Sequence, residues 1–423
     1  MRILFIHGNY PAQFRQLASS LGASGQHDLR FLTARQDAEN HPIPGVRVER
    51  MPELPAASEL QHPAIQPTEE SLRRGYGVIE QLSRLAREGF VPELVIFHGG
   101  NGLGLHVREL LPDCRLIGYY EWFFSSGNAA ALLGADDLRT RLHVRLRNLS
   151  MPSELLSCDA AVVPTAWQAQ QFPPPLRRLL SVQFDGIDTS YFCPPAEPLL
   201  GERRFDGEHG SLSVDDDTLL LSYATRGMEP LRGFPEFLRC LPPLLARFRQ
   251  LQVLIGGRDR SAYGRPAPSH NGSWKDAVLA ELGDFPGRER LHFPGLMPYA
   301  SYRLLLQRSD LHVYLSRPYV TSWSFFEAAA CGTPLLVNRG EATTGTLPNA
   351  ADHVVELDQP GSLLAGLVLA LEQAARLRRE RAWPPRVSRL PGIYALPHCL
   401  QGWQDVINRT APSARLAVHT PAG

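Results

Sequence analysis

A single carboxylate, Glu327, lies within the otherwise apolar stretch YVTSWSFFEAAACGTPLLVN at residues 319–338. An unpaired buried charge costs several kcal/mol or becomes neutralised, so Glu327 must reach polar partners or face a ligand. The pattern predicts a helix that Thr321 or Ser322 caps at its start and that Gly332 ends.

The start of this helix is a candidate anion site, because free main-chain N–H groups and the positive end of the dipole coincide there. The groups concerned belong to Thr321, Ser322 and Trp323. Glu327 follows about one and a half turns later, where nucleotide-binding folds often place a carboxylate on a ribose diol. A half-exposed glutamate paired with an arginine explains the spacing equally well.

Two arginines, Arg226 and Arg232, follow the apolar run TLLLSYA in the segment SYATRGMEPLRGFPEF. At the carboxyl end of a parallel strand, two guanidinium groups can grip a diphosphate with paired hydrogen bonds. An ordinary solvated loop is the alternative interpretation.

A second polar group follows two apolar runs of the N-terminal half. The segment HGGNGLGLH at 98–106 lacks the G-x-G-x-x-G spacing of a dinucleotide fingerprint. We interpret it as the lining of a cleft at strand ends, with turn glycines and a structural histidine as the alternative. The predicted lining residues are His7, Gly8, Asn9, His98, Gly99, Gly100 and Asn101.

The remaining charged clusters favour ordinary roles. The pairs within Asp185–Asp188 and Asp215–Asp217 mimic a D-x-D metal motif, but turns explain both better, so we predict no metal site. The four arginines of RTRLHVRLRN predict an exposed helix face rather than a phosphate site; they are Arg139, Arg141, Arg145 and Arg147.

Short continuous apolar runs, each ending in turn residues, recur through both halves of the chain. Such runs favour parallel strands covered on both faces, and helical patterns lie between them. Two βαβαβ sets therefore predict an α/β protein with two doubly wound, Rossmann-like domains facing a cleft. The polar stretch GERRFDGEHGSLSVDDDT between the sets predicts a surface hairpin or loop.

Composition is consistent with a two-domain enzyme. The chain has 423 residues, 43 basic and 43 acidic side chains and six scattered cysteines. Balanced charge gives no field that recruits nucleic acid. The cysteine pattern favours reduced thiols, and the N-terminus lacks a signal-peptide pattern. We expect a cytoplasmic protein with at most peripheral membrane contact.

Three motifs in order resemble those of retaining GT-B glycosyltransferases of family 4, especially a bacterial exopolysaccharide or glycan subgroup. They are ATRGMEPLRG, RLHFPGLMPYASYRLLLQRSDLHVYLS and FFEAAACGTPLLV. The N-terminal half adds RILFIHGNYPAQFRQLA, VVPTAWQAQQFP and FDGIDTSYFCP. The resemblance covers nearly the whole chain.

The resemblance implies a nucleoside-diphosphate-sugar donor. Arg226 and Arg232 match the residues that bind its pyrophosphate, and the main chain of Thr321, Ser322 and Trp323 matches the loop that wraps the β-phosphate. Glu327 matches the second glutamate of an E-x7-E motif, which contacts ribose. Gly295 and Leu296 match main chain that meets the base.

Other positions bear on the chemistry itself. Glu121 falls where many members carry a histidine beside the reacting sugar, so Glu121 and His98 are the catalytic candidates. Tyr319 stands where the first E-x7-E glutamate would be. Gly345 replaces an acidic residue, with Glu341 as a possible substitute.

We therefore expect a metal-independent, cofactor-free hexosyltransferase that uses a nucleotide-sugar and a glycan, lipid-linked, protein or small-molecule hydroxyl acceptor. The alternatives are a catalytically inactive GT-B scaffold and a GT-B nucleotide-sugar epimerase. The predicted acceptor domain is 1–188 plus C-terminal helices at 391–410, 189–216 is a linker, 217–390 is the donor domain, and 411–423 is a disordered tail.

Overall fold

The computed structural model of the protein describes residues 1–52, 65–128, 137–197 and 199–410. The predicted disordered tail lies outside these residues. The described chain forms two compact units. Unit 1 comprises Met1–Ser126, Asp137–Gly186 and the chain from Leu396, and unit 2 is essentially Ile187–Ala395.

The described residues contain fifteen strands. They are β1 Arg2–His7, β2 Asp28–Thr33, β3 Val46–Arg50, β4 Leu94–His98, β5 Arg115–Tyr119, β6 Ala160–Val163, β7 Leu180–Val182, β8 Arg203–Gly207, β9 Gly210–Val214, β10 Leu219–Ala224, β11 Leu251–Gly256, β12 Leu291–Gly295, β13 Leu311–Tyr314, β14 Leu335–Asn338 and β15 His353–Val355.

The described residues also contain fourteen α-helices, none of them long and apolar enough to cross a bilayer. They are α1 Arg15–Ala23, α2 Gln66–Arg87, α3 Val107–Leu110, α4 Leu138–Leu146, α5 Met151–Ser157, α6 Ala166–Gln170, α7 Pro174–Arg177, α8 Phe234–Arg239, α9 Leu241–Arg247, α10 Trp274–Leu282, α11 Tyr299–Arg308, α12 Trp323–Ala330, α13 Ser362–Glu380 and α14 Leu396–Arg409.

Unit 1 is built on a seven-stranded parallel sheet in the order β3-β2-β1-β4-β5-β6-β7. Successive residues of β1 enter two different cores, since Phe5 packs on one face and Leu4 on the other. Trp403 of α14 joins the Phe5 core and stacks on Tyr119 at 6.3 Å. The C-terminal helix thus packs on unit 1, and the continuous apolar runs reflect burial of both sheet faces.

Unit 2 contains a six-stranded parallel sheet in the order β12-β11-β10-β13-β14-β15. Its largest core packs α8, α9 and α13 against the strands, with Phe237, Leu244 and Leu367 fully buried. The strands β8 and β9 pair as a separate antiparallel hairpin, which is the first of the two forms expected for the polar stretch.

Candidate functional site

Each sheet reverses its strand order at one point, between β1 and β4 in unit 1 and between β10 and β13 in unit 2. Open parallel sheets bind ligands outside the carboxyl ends of strands at such a point. In unit 2 the segment after β10 carries Arg226 and Arg232, and the segment after β13 leads into α12. The strongest sequence candidates therefore lie at one edge of this sheet.

Arg232 is buried beside the segment that precedes α12. Its Nη1 donates to the hydroxyls of Ser316 at 2.7 Å and Tyr314 at 3.4 Å, and its Nη2 donates to the Val320 carbonyl at 3.2 Å. Burial by itself disfavours the charge, but neighbouring Tyr314, Tyr263 and Glu229 raise the pKa of Arg232 above its ordinary value. A charged guanidinium is thus fixed at this edge.

Tyr263, from the loop after β11, connects the two arginines. Arg226 Nη1 donates to the Tyr263 hydroxyl at 3.0 Å, and the Arg226 guanidinium carbon lies 5.6 Å from the ring centroid. The Arg232 guanidinium carbon lies 5.9 Å from the same centroid. The two cations therefore meet at one ring. Sequence analysis missed Tyr263, although its place after the strand LQVLIGG was a signal.

The N-terminus of α12 lies beside Arg232. Ser322 is the N-cap residue; its side chain makes no capping hydrogen bond, and its main-chain N–H donates to the Tyr314 hydroxyl at 3.0 Å. Thr321 donates its hydroxyl to the Ala342 carbonyl at 3.0 Å, and Trp323 begins the helix. Ser322 and Arg232 line one small crevice, which brings a guanidinium to the positive end of a helix dipole.

Glu327 lies in α12 and is 8% exposed. Burial, and then the negative charge of Glu327, raise the pKa of the Tyr302 phenol well above its usual value. The carboxylate therefore has a polar neighbour from α11. Its predicted ribose contact stays a prediction.

The structure places the residues that depart from the family pattern, Tyr319 and Gly345, near other groups of unit 2. Tyr319 lies 5.2 Å from Tyr263, ring centroid to ring centroid, so an aromatic pair occupies the position of the first E-x7-E glutamate. Glu341 and Gly345 begin and end one π-helical turn after β14.

Gly295 and Leu296, at the end of β12, lie against the turn of the β8–β9 hairpin. The Leu296 N–H donates to the Glu208 carboxylate at 3.2 Å, and the Leu296 carbonyl accepts from the Glu208 N–H at 3.0 Å. A Cβ at Gly295 would lie 2.7 Å from the His209 ring. The main chain predicted to meet the base is engaged by this turn.

In unit 1 the predicted catalytic and cleft residues form one hydrogen-bonded chain. The Asn9 N–H donates to His7 Nδ1 at 2.8 Å, which places the His7 proton on Nε2, 2.8 Å from Gln13 Oε1. Gln13 Nε2 donates to Glu121 Oε1 at 2.8 Å. Glu121 Oε2 lies 3.2 Å from His98 Nε2, so this carboxylate connects the ends of β1, β4 and β5.

The hydrogen-bonded chain of side chains extends to Asn101, whose Nδ2 lies 3.2 Å from His98 Nδ1. The centroids of the His7 and His98 rings are 4.4 Å apart. Gln13 was not identified from the sequence; its signal was its place in the turn directly after β1, beside the predicted cleft residue Asn9.

A buried glutamate holds the glycine loop after β4. Glu154 accepts the N–H of Gly100 at 2.7 Å and that of Gly104 at 3.0 Å. Burial raises the pKa of Glu154 to about 7 against the lowering effect of these hydrogen bonds. A Cβ at Gly99 would lie 2.2 Å from the Tyr120 ring, so this position requires glycine. Gly8 is exposed between His7 and Asn9.

The acidic pairs have mixed surroundings: Asp185 is buried and accepts the Tyr119 hydroxyl at 2.6 Å, so the expected turn does not account for it. Asp188 accepts the N–H groups of Ser190 and Tyr191, and Asp215 accepts those of Asp217 and Thr218, so both cap turns. Across the described residues no group of three or more His, Cys, Asp or Glu is arranged to hold a metal. The basic segment spans α4, whose three arginines are exposed: Arg139, Arg141 and Arg145. Arg147 does not share that face, because it follows the helix, is half-buried and lies over the Phe124 ring at 5.1 Å.

Comparison with solved structures defines the fold class. Sucrose-phosphate synthase from Thermosynechococcus elongatus aligns with a TM-score of 0.65 at 15% identity, over 96% of this chain and 98% of that one. Anabaena HepE in complex with UDP and glucose aligns at 0.59 and 12%, over 97% and 100%. The starch synthase IV catalytic domain of Arabidopsis thaliana, bound to ADP and acarbose, aligns at 0.60 and 10%, over 97% and 99%. With the two parallel-sheet units, these likenesses confirm the predicted GT-B fold.

Family models give the class of each half. Residues 25–192 match the model of the glycosyl transferase family 4 group, and residues 238–386 match the model described as glycosyl transferase-like. No curated protein matches the sequence. Each half thus matches a glycosyltransferase model, and together with the fold these matches support the expectation of a transferase.

Proposed function

We propose that the protein transfers a hexosyl group from a nucleoside-diphosphate-sugar to a hydroxyl acceptor, with retention of anomeric configuration, in bacterial glycan or glycoconjugate biosynthesis. The observation that carries the proposal is the meeting of Arg226 and Arg232 at the Tyr263 ring. Two guanidinium groups beside a helix N-terminus match the charge and paired oxygens of a diphosphate. Two proteins of similar fold bind nucleoside diphosphates, since HepE was solved in complex with UDP and glucose and starch synthase IV bound to ADP and acarbose.

The same groups explain how unit 2 would assist the reaction. Negative charge grows on the departing diphosphate as the glycosidic bond breaks, and fixed cations stabilise that charge more than they stabilise the ground state. Arg232 is already held by the Ser316 hydroxyl and the Val320 carbonyl, so little reorganisation is needed. With two guanidinium groups in place, the proposal needs no divalent cation.

Unit 1 supplies the acid–base groups of the proposal. Glu121 is fixed on one side by Gln13 and on the other by His98. A carboxylate and an imidazole in this arrangement can orient the sugar and accept the proton of the acceptor hydroxyl. The acceptor itself is proposed only as a hydroxyl-bearing glycan, lipid-linked glycan, protein or small molecule.

Binding of the diphosphate is the direct test of unit 2. UDP, GDP, ADP and dTDP would first be screened by thermal shift, because a ligand that binds the native state raises its apparent stability. With the best nucleotide, Arg226→Ala should weaken binding in calorimetry by about 2 kcal/mol, roughly 30-fold, since a charge-assisted hydrogen bond is lost.

Arg239→Ala is the matched control, because Arg239 lies in the same unit and pairs with Glu281 at an exposed site. Its affinity should equal that of the wild type. A folded Arg226→Ala protein with unchanged affinity would refute the diphosphate assignment.

A second candidate is a non-catalytic nucleotide-sugar binder, which Tyr319 favours because it occupies the place of a glutamate in the family pattern. The two functions differ in turnover. Release of nucleoside diphosphate from the bound donor, even slowly and to water, supports the transferase. Tight donor binding with no release over many hours supports the binder.

A further inference from the structure

The loop after β11 places one aromatic ring close to both cationic groups of unit 2. Tyr263 accepts a hydrogen bond from Arg226 and lies within 6 Å of both guanidinium carbons, at 5.6 and 5.9 Å from its ring centroid. Its ring also contacts Tyr319, at 5.2 Å between centroids. An arginine side chain over an aromatic face is restrained by a cation–π attraction.

A buried carboxylate fixes this loop. Glu229 is fully buried, and its Oε2 accepts three consecutive main-chain N–H groups, from Ala262 at 3.0 Å, Tyr263 at 3.0 Å and Gly264 at 2.9 Å. Glu229 lies in sequence between Arg226 and Arg232. One short segment therefore supplies both cations and the carboxylate that anchors the loop carrying the Tyr263 ring.

Burying a carboxylate costs free energy unless hydrogen bonds satisfy it. The three N–H groups satisfy Glu229 Oε2, and in return Glu229 fixes their loop. These bonds tie the segment Ala262–Gly264 to the segment that follows β10, and a ring on a loosened segment would restrain Arg226 poorly. Prior ordering of the arginines matters because a ligand that immobilises flexible side chains binds more weakly.

We propose that Tyr263 is a positioning residue that holds Arg226 beside the already fixed Arg232 in one anion site, and that Glu229 acts through Tyr263 by anchoring its main chain. The inference rests on the proposed function and assigns to this donor site two residues that the family pattern did not supply. It predicts coupled rather than independent effects of the two side chains.

The test measures binding of inorganic pyrophosphate by calorimetry to the full-length protein. Tyr263→Ala and Glu229→Ala should each weaken binding at least tenfold. The double variant should bind no more weakly than the weaker single variant, because both changes remove the same restraint. Tyr263→Phe, which keeps the ring, should bind within about threefold of the wild type, which is a rescue that a general folding defect would not show.

Glu281→Ala is the matched control, since Glu281 is exposed in the same unit and pairs with Arg239. If Glu229→Ala does not fold, Glu229→Gln keeps one acceptor oxygen and should bind more weakly than the wild type but more tightly than Tyr263→Ala. Wild-type affinity in folded Tyr263→Ala overturns the inference.

Two further outcomes separate this inference from the function it rests on. If Arg226→Ala loses pyrophosphate while Tyr263→Ala keeps it, the diphosphate site stands and the positioning role falls. If neither change alters binding, the diphosphate site falls too. Losses that add in the double variant would overturn the claim that Glu229 acts through Tyr263.

Discussion

The two units use the same device for different chemistry. In each, a buried glutamate accepts main-chain N–H groups from a loop at the carboxyl edge of a parallel sheet. Glu154 holds the loop Gly100–Gly104 in unit 1, and Glu229 holds Ala262–Gly264 in unit 2. Around the first lie imidazoles, amides and a carboxylate; around the second lie two guanidinium groups and aromatic rings.

The two units have the same sheet architecture but different side chains at their strand ends. In both sheets the reversal of strand order creates a ligand site at the carboxyl ends of the strands. The side chains that follow those strands decide the chemistry of each site. His7 and His98 end β1 and β4, and such groups exchange protons. Arg226 and Arg232 follow β10, and such groups bind anions without losing charge. Variants in unit 1 should therefore change turnover, and variants in unit 2 should change nucleotide affinity.

The largest expected effect tests this division in unit 1. Glu121→Ala should lower kcat by about 10²–10⁴-fold, as removal of a positioned acid–base group does, while the affinity for nucleoside diphosphate stays within about threefold. Release of nucleoside diphosphate from the donor gives kcat, and calorimetry gives the affinity.

Glu109→Ala, at an exposed position of α3 in the same unit, should change neither quantity. A Glu121→Ala protein that turns over normally, or that loses nucleotide binding instead, would break the comparison between the units.

Glu154 provides the next largest effect, through pH. Its pKa is about 7 in the folded unit and 4.5 as its ordinary value. Below about pH 4 the carboxyl is protonated in both states. As pH rises to 7 the unfolded chain releases this proton first, so the free energy of unfolding falls, by about 3 kcal/mol in total, and then stays low.

Glu154→Gln removes this titration. The free energy of unfolding would be measured with urea at pH 4 and pH 8 for both proteins. Between these pH values the wild type should lose about 3 kcal/mol relative to Glu154→Gln. Other carboxyls titrate in both proteins and cancel. A pH-independent difference would show that Glu154 ionises normally in the folded unit.

Much of the fold was predictable, since parallel strands buried on both faces leave continuous apolar runs. The edge strand β3 was missed because VRVER alternates charged and apolar residues, with Arg47 and Arg50 exposed. The helical pattern PEFLRCLPPLLARF at 235–248 predicts one helix, but the segment forms two helices, α8 and α9, that meet at Cys240. Pro242 and Pro243 explain the break, since proline lacks the N–H that a continuous helix requires.

The site was predictable only where a motif or a strand end marked it. Arg226, Arg232 and Glu121 follow apolar strands in the sequence. Glu229 and Glu154 contact loops 33 and 50 residues away, and no local spacing encodes such contacts. Glu154 nevertheless carried the same sequence signal as Glu327. It is a lone carboxylate in the apolar helix MPSELLS, and such a group needs polar partners.

Glu327 gives the smallest effect and the finest contrast, since it lies within a helix and beside the Tyr302 phenol. If Glu327 binds a ribose diol, Glu327→Gln should weaken nucleoside diphosphate binding by about 1 kcal/mol, as expected when a charged acceptor becomes neutral. The matching 2′,3′-dideoxyribose nucleotide should bind both proteins equally, because it lacks the diol. Glu281→Gln, at an exposed site of the same unit, should leave both affinities unchanged. An equal loss with both nucleotides would instead assign Glu327, like Glu229 and Glu154, to holding the protein's own structure.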